Sequence, residues 1–330
     1  MPHCSRSKEA LIPRFALLVS LAFGVSIGCS AHRGTGHQPN RSSTYAGPNG
    51  HKMVLIPASE FVMGSPPSEA GRSQVETAHR VRIPRAYALA TTEVTNEQFA
   101  HFLSAVPDYA ARWKRATTAR FGDPPRYARY SRTSDSPQVG VSWYDAARYC
   151  NWLSEVAGIP KEEWVYPDSI DADAGLDLPP NYLHRTGYRL PTEAEWENAA
   201  RAGTTTAWHF GNDQTLLPQY GWYDANTNKE LIHPVAERKP NQWGLFDMLG
   251  NVWEWTFDRR RPYPSNDHVT DDVEDSVLHV SNAAARTRRG GSFAYEWFTL
   301  RSAHRGDTTY FPNQTRDGVG FRVARTMPHQ

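Results

Sequence analysis

The chain is poor in cysteine and almost without net charge. Three Cys in 330 residues exclude a disulfide scaffold and a four-Cys zinc site. Lys and Arg number 36 against 35 Asp and Glu, a formal charge of +1, so the chain as a whole lacks the footprint of a nucleic-acid binder. There is no Gly-rich phosphate loop, no Ser-His-Asp order and no HExxH, which leaves nucleotide use and zinc proteolysis without support. Long apolar runs are also missing. The apolar run Phe15–Gly28 has 14 residues and no charge and as a helix would reach about 21 Å, short of a ~30 Å hydrocarbon core. Tryptophan is plentiful: there are eleven, and a fold must house them.

The short run follows Arg6, Lys8 and Arg14 and ends in Ser26-Ile27-Gly28-Cys29. A basic start, an apolar core and a small residue before Cys read as an export leader and resemble a bacterial lipobox, in which the Cys carries lipid. Ser26 departs from the usual Leu, and an ordinary cleaved leader or a short anchor with an incidental Cys is the alternative. Export is expected either way. The expected organisation is a leader over 1–29 with lipidation at Cys29, a tether over 30–50, one domain over 51–326 and a tail over 327–330. The tether is rich in Gly, Ser, Asn and Pro and has no apolar period.

Within the domain, Met53–Pro57, Glu60–Met63, His79–Ile83 and Tyr87–Ala90 read as strands. Thr95-x-x-Gln98, Ser142-x-x-Asp145 and Thr192-x-x-Glu195 are capping boxes that predict helices over Asn96–Leu103, Trp143–Ala157 and Glu193–Ala202. Gly158 and Gly203 sit where left-handed C-caps belong. The rest is turn-rich, and the fold class is α+β with much irregular structure. The segment Asp171-x-Asp173-x-Gly175-x-Asp177 has the look of a calcium loop but lacks the Gly and Glu of an EF-hand, so it reads as a solvated loop. Asp267–Asp275 reads as a charged surface excursion.

Seven short segments occur in a recognisable order: Val54-Leu55-Ile56-Pro57 with Met63-Gly64-Ser65; Thr92-Glu93-Val94-Thr95-Asn96; Val141-Ser142-Trp143 with Tyr149-Cys150-Asn151-Trp152; Tyr188-Arg189-Leu190-Pro191-Thr192-Glu193-Ala194-Glu195-Trp196-Glu197; Asn241-Gln242-Trp243-Gly244-Leu245 running into Gly250-Asn251-Val252-Trp253-Glu254-Trp255; Arg289-Gly290-Gly291-Ser292-Phe293; and Gly320-Phe321-Arg322. This series resembles the sulfatase-modifying factor, or formylglycine-generating enzyme, family over about 53–326. The resemblance implies a single domain with a variant of the C-type lectin fold. Trp143, Trp152, Trp196, Trp253 and Trp255 all lie in the shared segments. A structural role therefore accounts for the Trp excess, with a sugar- or peptide-stacking platform as the alternative.

The resemblance also implies a structural Ca²⁺ held by a side-chain oxygen, two backbone carbonyls and a Glu. Carried over by position, these fall on Asp247, Gly250, Val252 and Glu254, with Asp in place of the family's Asn. A hard cation accepts either. It further implies two Cu(I)-binding cysteines after the Arg-Gly-Gly-Ser segment, and those positions hold Tyr295 and Leu300. Neither is a ligand for Cu(I), Cys150 reads as a small core residue, and Ser292 alone cannot carry the oxidation, so copper-dependent formylglycine generation is not expected. Two classes remain. One is a lipid-anchored binding or scaffold protein with a peptide, protein or glycan ligand. The other is an enzyme of different, non-haem-iron chemistry, for which Ser292, Tyr295, Glu296, His304 and Arg305 are the candidates. A facial triad would need a second His, such as His209 or His233, beside His304 and Glu296.

Overall fold

The computed structural model describes residues 43–265, 268–306 and 309–328. Cys29 and the leader lie outside the described residues. In chain order the elements are β1 (Thr44–Ala46), β2 (Lys52–Ile56), β3 (Ser59–Met63), β4 (His79–Ile83), β5 (Tyr87–Ala90), α1 (Asn96–Ala105), α2 (Pro107–Phe121), α3 (Trp143–Val156), β6 (Leu176–Asp177), β7 (Tyr188–Arg189), α4 (Glu193–Arg201), α5 (Asp224–Thr227), β8 (Trp253–Arg259), β9 (Thr270–Asp271), β10 (His279–Val280), β11 (Arg286–Arg289), β12 (Val319–Gly320) and β13 (Ala324–Thr326). An antiparallel sheet of order β1-β2-β5-β13-β7 brings the two ends of the domain together. Three smaller sheets, β11-β8-β12, β3-β4-β9 and β10-β6, complete the β structure.

All three expected capping boxes form. Thr95, Ser142 and Thr192 each accept the N–H three residues on, and Gln98, Asp145 and Glu195 reach back to the cap N–H. Each box satisfies two otherwise orphaned donors of the first turn. The four expected strands also form, to within a residue at each end.

The tryptophans form the core. Trp143, Trp196, Trp253 and Trp255 are buried, and three of them direct the indole N–H to a buried acceptor: Trp143 to Thr256 O at 3.0 Å, Trp255 to Val141 O at 3.1 Å and Trp196 to Glu254 Oε2 at 2.8 Å. Large rigid rings with one polar handle hold short strands and loops in register where long elements are few.

Three boundaries differ from the sequence reading. The segment expected as tether is already folded by Thr44, since β1 pairs antiparallel with β2 (Thr44↔Val54, Ala46↔Lys52). Gly47-Pro48-Asn49-Gly50, which has the composition of a linker, is the turn that returns the chain, with Asn49 at φ 52°; Asn and Gly tolerate the left-handed region such turns require. At the other end, Met327 donates its amide to Ala86 O at 3.0 Å, so the fold runs past 326. Helix α2 had no start signal in the sequence, because its N-cap is Val106 and Pro107 opens it. The stretch read as a charged excursion is structural: Asp271 in β9 pairs with β4, and Asp272 accepts from Thr192 Oγ1 and forms a buried ion pair with Arg85. By contrast Asp171, in the loop read as solvated, is exposed and accepts from the amides of Asp173 and Ala174, closing a turn on itself.

Candidate functional site

Tyr295 and Leu300, the positions that the family resemblance aligns with copper-binding cysteines, lie in the turn after β11. Gly290 and Gly291 have φ 99° and 75°, and a Cβ on Gly291 would stand 2.8 Å from Leu300 Cδ1, so Gly lets the backbone close over this side chain. Leu300 is fully buried and packs with Ala207, Trp208, Leu217, Tyr223 and Leu249. Tyr295 is 43% exposed, and its ring meets Trp253 edge-on at 5.5 Å and 83°. Its backbone is fixed on both sides, N–H to Ser292 O at 3.1 Å and carbonyl from Asp224 N at 3.1 Å. Ser292 is buried, and its hydroxyl has no hydrogen-bond partner among the described residues. Cys150 lies in the apolar core, where burial pushes its thiol well above the ordinary range.

The expected iron ligands do not meet. His304 is buried with Nδ1 3.3 Å from Glu76 Oε1. Burial would raise the Glu76 carboxyl, but hydrogen bonds from His304 and Arg301 overcome it and hold it at about 2. Arg305 is bidentate to Glu193 at 2.7 and 2.9 Å. Glu296 is exposed, and its carbonyl accepts from Thr299. His209 is buried against Phe210 and Tyr220, and burial lowers its pKa to about 4. His233 stacks on Trp222 at 3.5 Å, with the Arg238 guanidinium also 3.4 Å from the Trp222 ring centre. The imidazoles therefore belong to separate clusters.

Around the expected calcium loop the structure assembles a carboxylate cluster that the sequence reading included only in part. Glu254, on β8, accepts from Arg322 through both oxygens at 2.7 Å. Asp247 takes φ 55° and accepts Ala236 N at 2.7 Å through Oδ2, while Oδ1 is buried without a partner. Glu93 joins them, fully buried, with neither oxygen hydrogen-bonded among the described residues and Arg322 Nη2 4.0 Å away. Burial, then the charge of Asp247, raises the Glu93 carboxyl well above its ordinary range; burial also pushes Asp247 up to about 6, against the Ala236 amide and Arg322. Gly250, at φ 93°, lies where a Cβ would be 2.0 Å from Trp222 O. Among the described residues no three His, Cys, Asp or Glu side chains converge at metal-binding spacing, so any cation here would depend on backbone carbonyls such as those of Gly250 and Val252.

Beside Leu300 and sharing its Trp297 and Trp208 wall is an open cleft of about 340 Å³. It is lined by Pro66, Ser68, Glu69, Thr206, Asn212 and Trp297 among others. Trp297 is half-buried and presents the aromatic surface.

The described geometry agrees with what is known of similar chains. Residues 39–327 match the sulfatase-modifying factor enzyme 1-like domain. The formylglycine-generating enzyme of Streptomyces coelicolor is 29% identical over 296 residues, covering 82% of this chain and 88% of that protein. That of Mycobacterium tuberculosis is 30% identical over 241 residues, covering 62% and 73%. Among solved structures, Treponema denticola variable protein 1 matches with a TM-score of 0.61 at 28% identity over 86% of this chain and 98% of that one. PvdO from Pseudomonas aeruginosa matches with a TM-score of 0.63 at 23% identity, covering 87% and 99%, a likeness of fold. The chain belongs to the sulfatase-modifying factor family, with the formylglycine-generating-enzyme variant of the C-type lectin fold.

Proposed function

We propose that this chain is an exported, lipid-anchored binding protein that uses the family fold without the family's copper oxidation. The observation that carries the reading is the burial of Leu300 in an apolar cluster. A Cu(I) site requires two soft ligands facing each other. Here one position is filled with hydrocarbon and packed, and the other carries an exposed phenol. The Trp297 cleft beside it is the ligand site, with an aromatic surface, hydroxyls and an amide for a peptide, protein or glycan segment. Incubation with a CxPxR peptide and copper should yield no aldehyde; turnover would sink the reading. Substituting Trp297→Ala should abolish retention on the ligand once one is found, measured below the lowered melting temperature that follows from losing its packing on Trp208.

Two further elements belong to this proposal. Cys29 carries the lipid, so Cys29→Ser moves the protein from the membrane to the soluble fraction. The buried cluster takes a structural Ca²⁺: three carboxylates face one guanidinium, and the partnerless oxygens of Asp247 and Glu93 supply hard donors of the kind calcium prefers. The ion would be held by Asp247, Glu254 and the carbonyls of Gly250 and Val252, and it would supply positive charge where Arg322 alone is insufficient. No observation favours the iron reading, since His304, His209 and His233 lie in separate clusters.

A further inference from the structure

The charge of the chain is not evenly spread. Between Val106 and Arg132 there are seven Lys and Arg against two Asp, in a chain whose total is +1, so the remainder is net negative. Helix α2 carries four of these cations around its solvent side, with Lys114 and Arg120 at the two edges of the buried stripe. Its buried side is Thr117 and Phe121, with Trp113 packed against Phe99 of α1 at 5.4 Å. Arg112, Lys114, Arg115 and Arg120 are exposed, as are Arg129 and Arg132 beyond the helix. None of these six forms a salt bridge among the described residues, whereas their neighbour Arg126 is paired with Asp317. The acidic groups near these cations include Asp108 in the first turn, Asp123 in the following loop, Asp135 beyond Arg132 and Asp317, which pairs with Arg126. Four cations on the helix and two just beyond it cost self-repulsion; Arg132 donates to Arg129 O and Arg120 lies over the Phe121 ring, but none of the six has a carboxylate partner among the described residues.

Where the chain enters the domain indicates what they face. The turn after β1 is fastened to α1: Asn49 Nδ2 donates to Gln98 O at 3.0 Å, and Asn49 Oδ1 is 2.9 Å from His101 Nδ1. Helix α1 is joined to α2 through the single residue Val106. The first described turn therefore lies one helix away from α2. Thirteen residues separate Cys29 from Ser43, a span of at most about 45 Å.

We propose that the basic face of α2 and the Arg126–Arg132 turn is a peripheral contact for an anionic phospholipid surface, which orients the domain on the membrane that holds its anchor. This rests on the lipid-anchor reading of Cys29. The outward side chains between the charges are Ala111, Ala116 and Ala119, too small to wedge into acyl chains, and no described helix is long and apolar enough to cross a membrane. The contact is therefore electrostatic and salt-sensitive.

The test uses the full chain carrying Cys29→Ser, with and without the triple reversal Arg112→Glu, Lys114→Glu and Arg115→Glu. These three side chains are exposed and unpaired, so the melting temperature should not change. Each protein is sedimented with vesicles of phosphatidylcholine alone or of phosphatidylcholine mixed with phosphatidylglycerol. Insertion of the leader contributes equally to both. The expected result is preference for the anionic vesicles, weakened on the order of a hundredfold by the triple reversal and lost at about 1 M salt, where the Debye length is about 3 Å. Equal binding to both vesicles, or a preference that survives the reversal, overturns the proposal. So does tighter binding of a soluble acidic polysaccharide such as dextran sulfate, which would make the partner a polymer. The anchor reading fails separately, if the wild-type chain and Cys29→Ser distribute alike between membrane and soluble fractions in cells.

Discussion

Arg301 offers the most direct measure of how the loop before β4 is held against the Trp297–Leu300 turn. All five of its N–H donors are engaged: Nη1 with Glu76 Oε2 at 2.7 Å and Glu69 Oε1 at 2.6 Å, Nη2 with Glu76 Oε1 at 2.8 Å and Gly71 O at 2.7 Å, and Nε with Phe298 O at 3.0 Å. The side chains of Arg301 and Glu76 are both fully buried. Substituting Arg301→Met keeps the stem and removes the charge, leaving Glu76 with His304, the Ser65 hydroxyl and the Ser73 amide. Breaking one partner of a buried pair costs about 3–5 kcal/mol. The Glu76 titration gives a second route to the size. Its carboxyl stands at about 2 in the folded chain, against an ordinary value of 4.5, and each pH unit is worth about 1.4 kcal/mol, so its ionised form contributes about 3 kcal/mol. Between these values the unfolded chain binds the extra proton. That contribution is therefore complete above about 4.5 and is lost as pH falls toward about 2. Urea unfolding at pH 7 should show Arg301→Met destabilised by about 3–5 kcal/mol, and Arg301→Met with Glu76→Gln less so than the two single losses added together. A loss below about 1 kcal/mol, or strict additivity, would refute the account. Because Arg301 also ties down Glu69 and Gly71, the variant should weaken any ligand held in the Trp297 cleft.

Three other outcomes can be measured on the same protein. Gly250→Ala places a Cβ 2.0 Å from Trp222 O at φ 93°; both backbones must move, so a loss above about 3 kcal/mol or failure to fold is expected, and a wild-type melting temperature would contradict the geometry. His51 is buried beside the Tyr149 hydroxyl at 2.8 Å, and burial lowers its pKa to about 4. The unfolded chain takes up that proton first, so stability falls as pH drops from about 6.5 to about 4. Replacing His51→Gln should flatten this slope by up to about 3 kcal/mol, and an unchanged slope would assign it to other groups. Removing calcium with EGTA at constant ionic strength should lower the melting temperature of the wild-type chain, and should do so less in Asp247→Ala; indifference to the chelator would exclude a stabilising ion.

What could be read in the sequence was local. A capping box joins residues three apart, so Thr95, Ser142 and Thr192 announced α1, α3 and α4 without reference to the rest of the fold. Helix α2 opens on Val106-Pro107 and buries only Thr117 and Phe121, which gave neither a start signal nor a wide apolar stripe. The turn at Gly47–Gly50 has the composition of a linker, and only the partner strand β2 makes it part of the domain. Asp272 looked like one more acidic residue in a charged run. Its burial depends on Arg85 and Thr192, 187 and 80 residues away, and no local pattern carries that information.

The site divides in the same way. Tyr295 and Leu300 could be placed because their segment is anchored by Arg289-Gly290-Gly291-Ser292, and replacement of two thiols is visible in the letters alone. Whether these two positions form a reaction centre or a packed wall is a question of packing. Leu300 touching Trp208 and Leu249 answers it for one position. His304 shows how residue type misleads, since a histidine near a lost metal site suggests a replacement ligand, yet its ring is committed to Glu76 inside the Arg301 network. Glu93 is the opposite case. It sits in a helix-start segment whose capping pattern explains its neighbours, and nothing local marks it. Only the fold brings it to Asp247, Glu254 and Arg322, where its unpaired oxygens make it the most informative carboxylate in the cluster. Burying three carboxylates with one guanidinium is costly unless a cation or protons compensate. Chelation therefore discriminates between these two ways of balancing the charge.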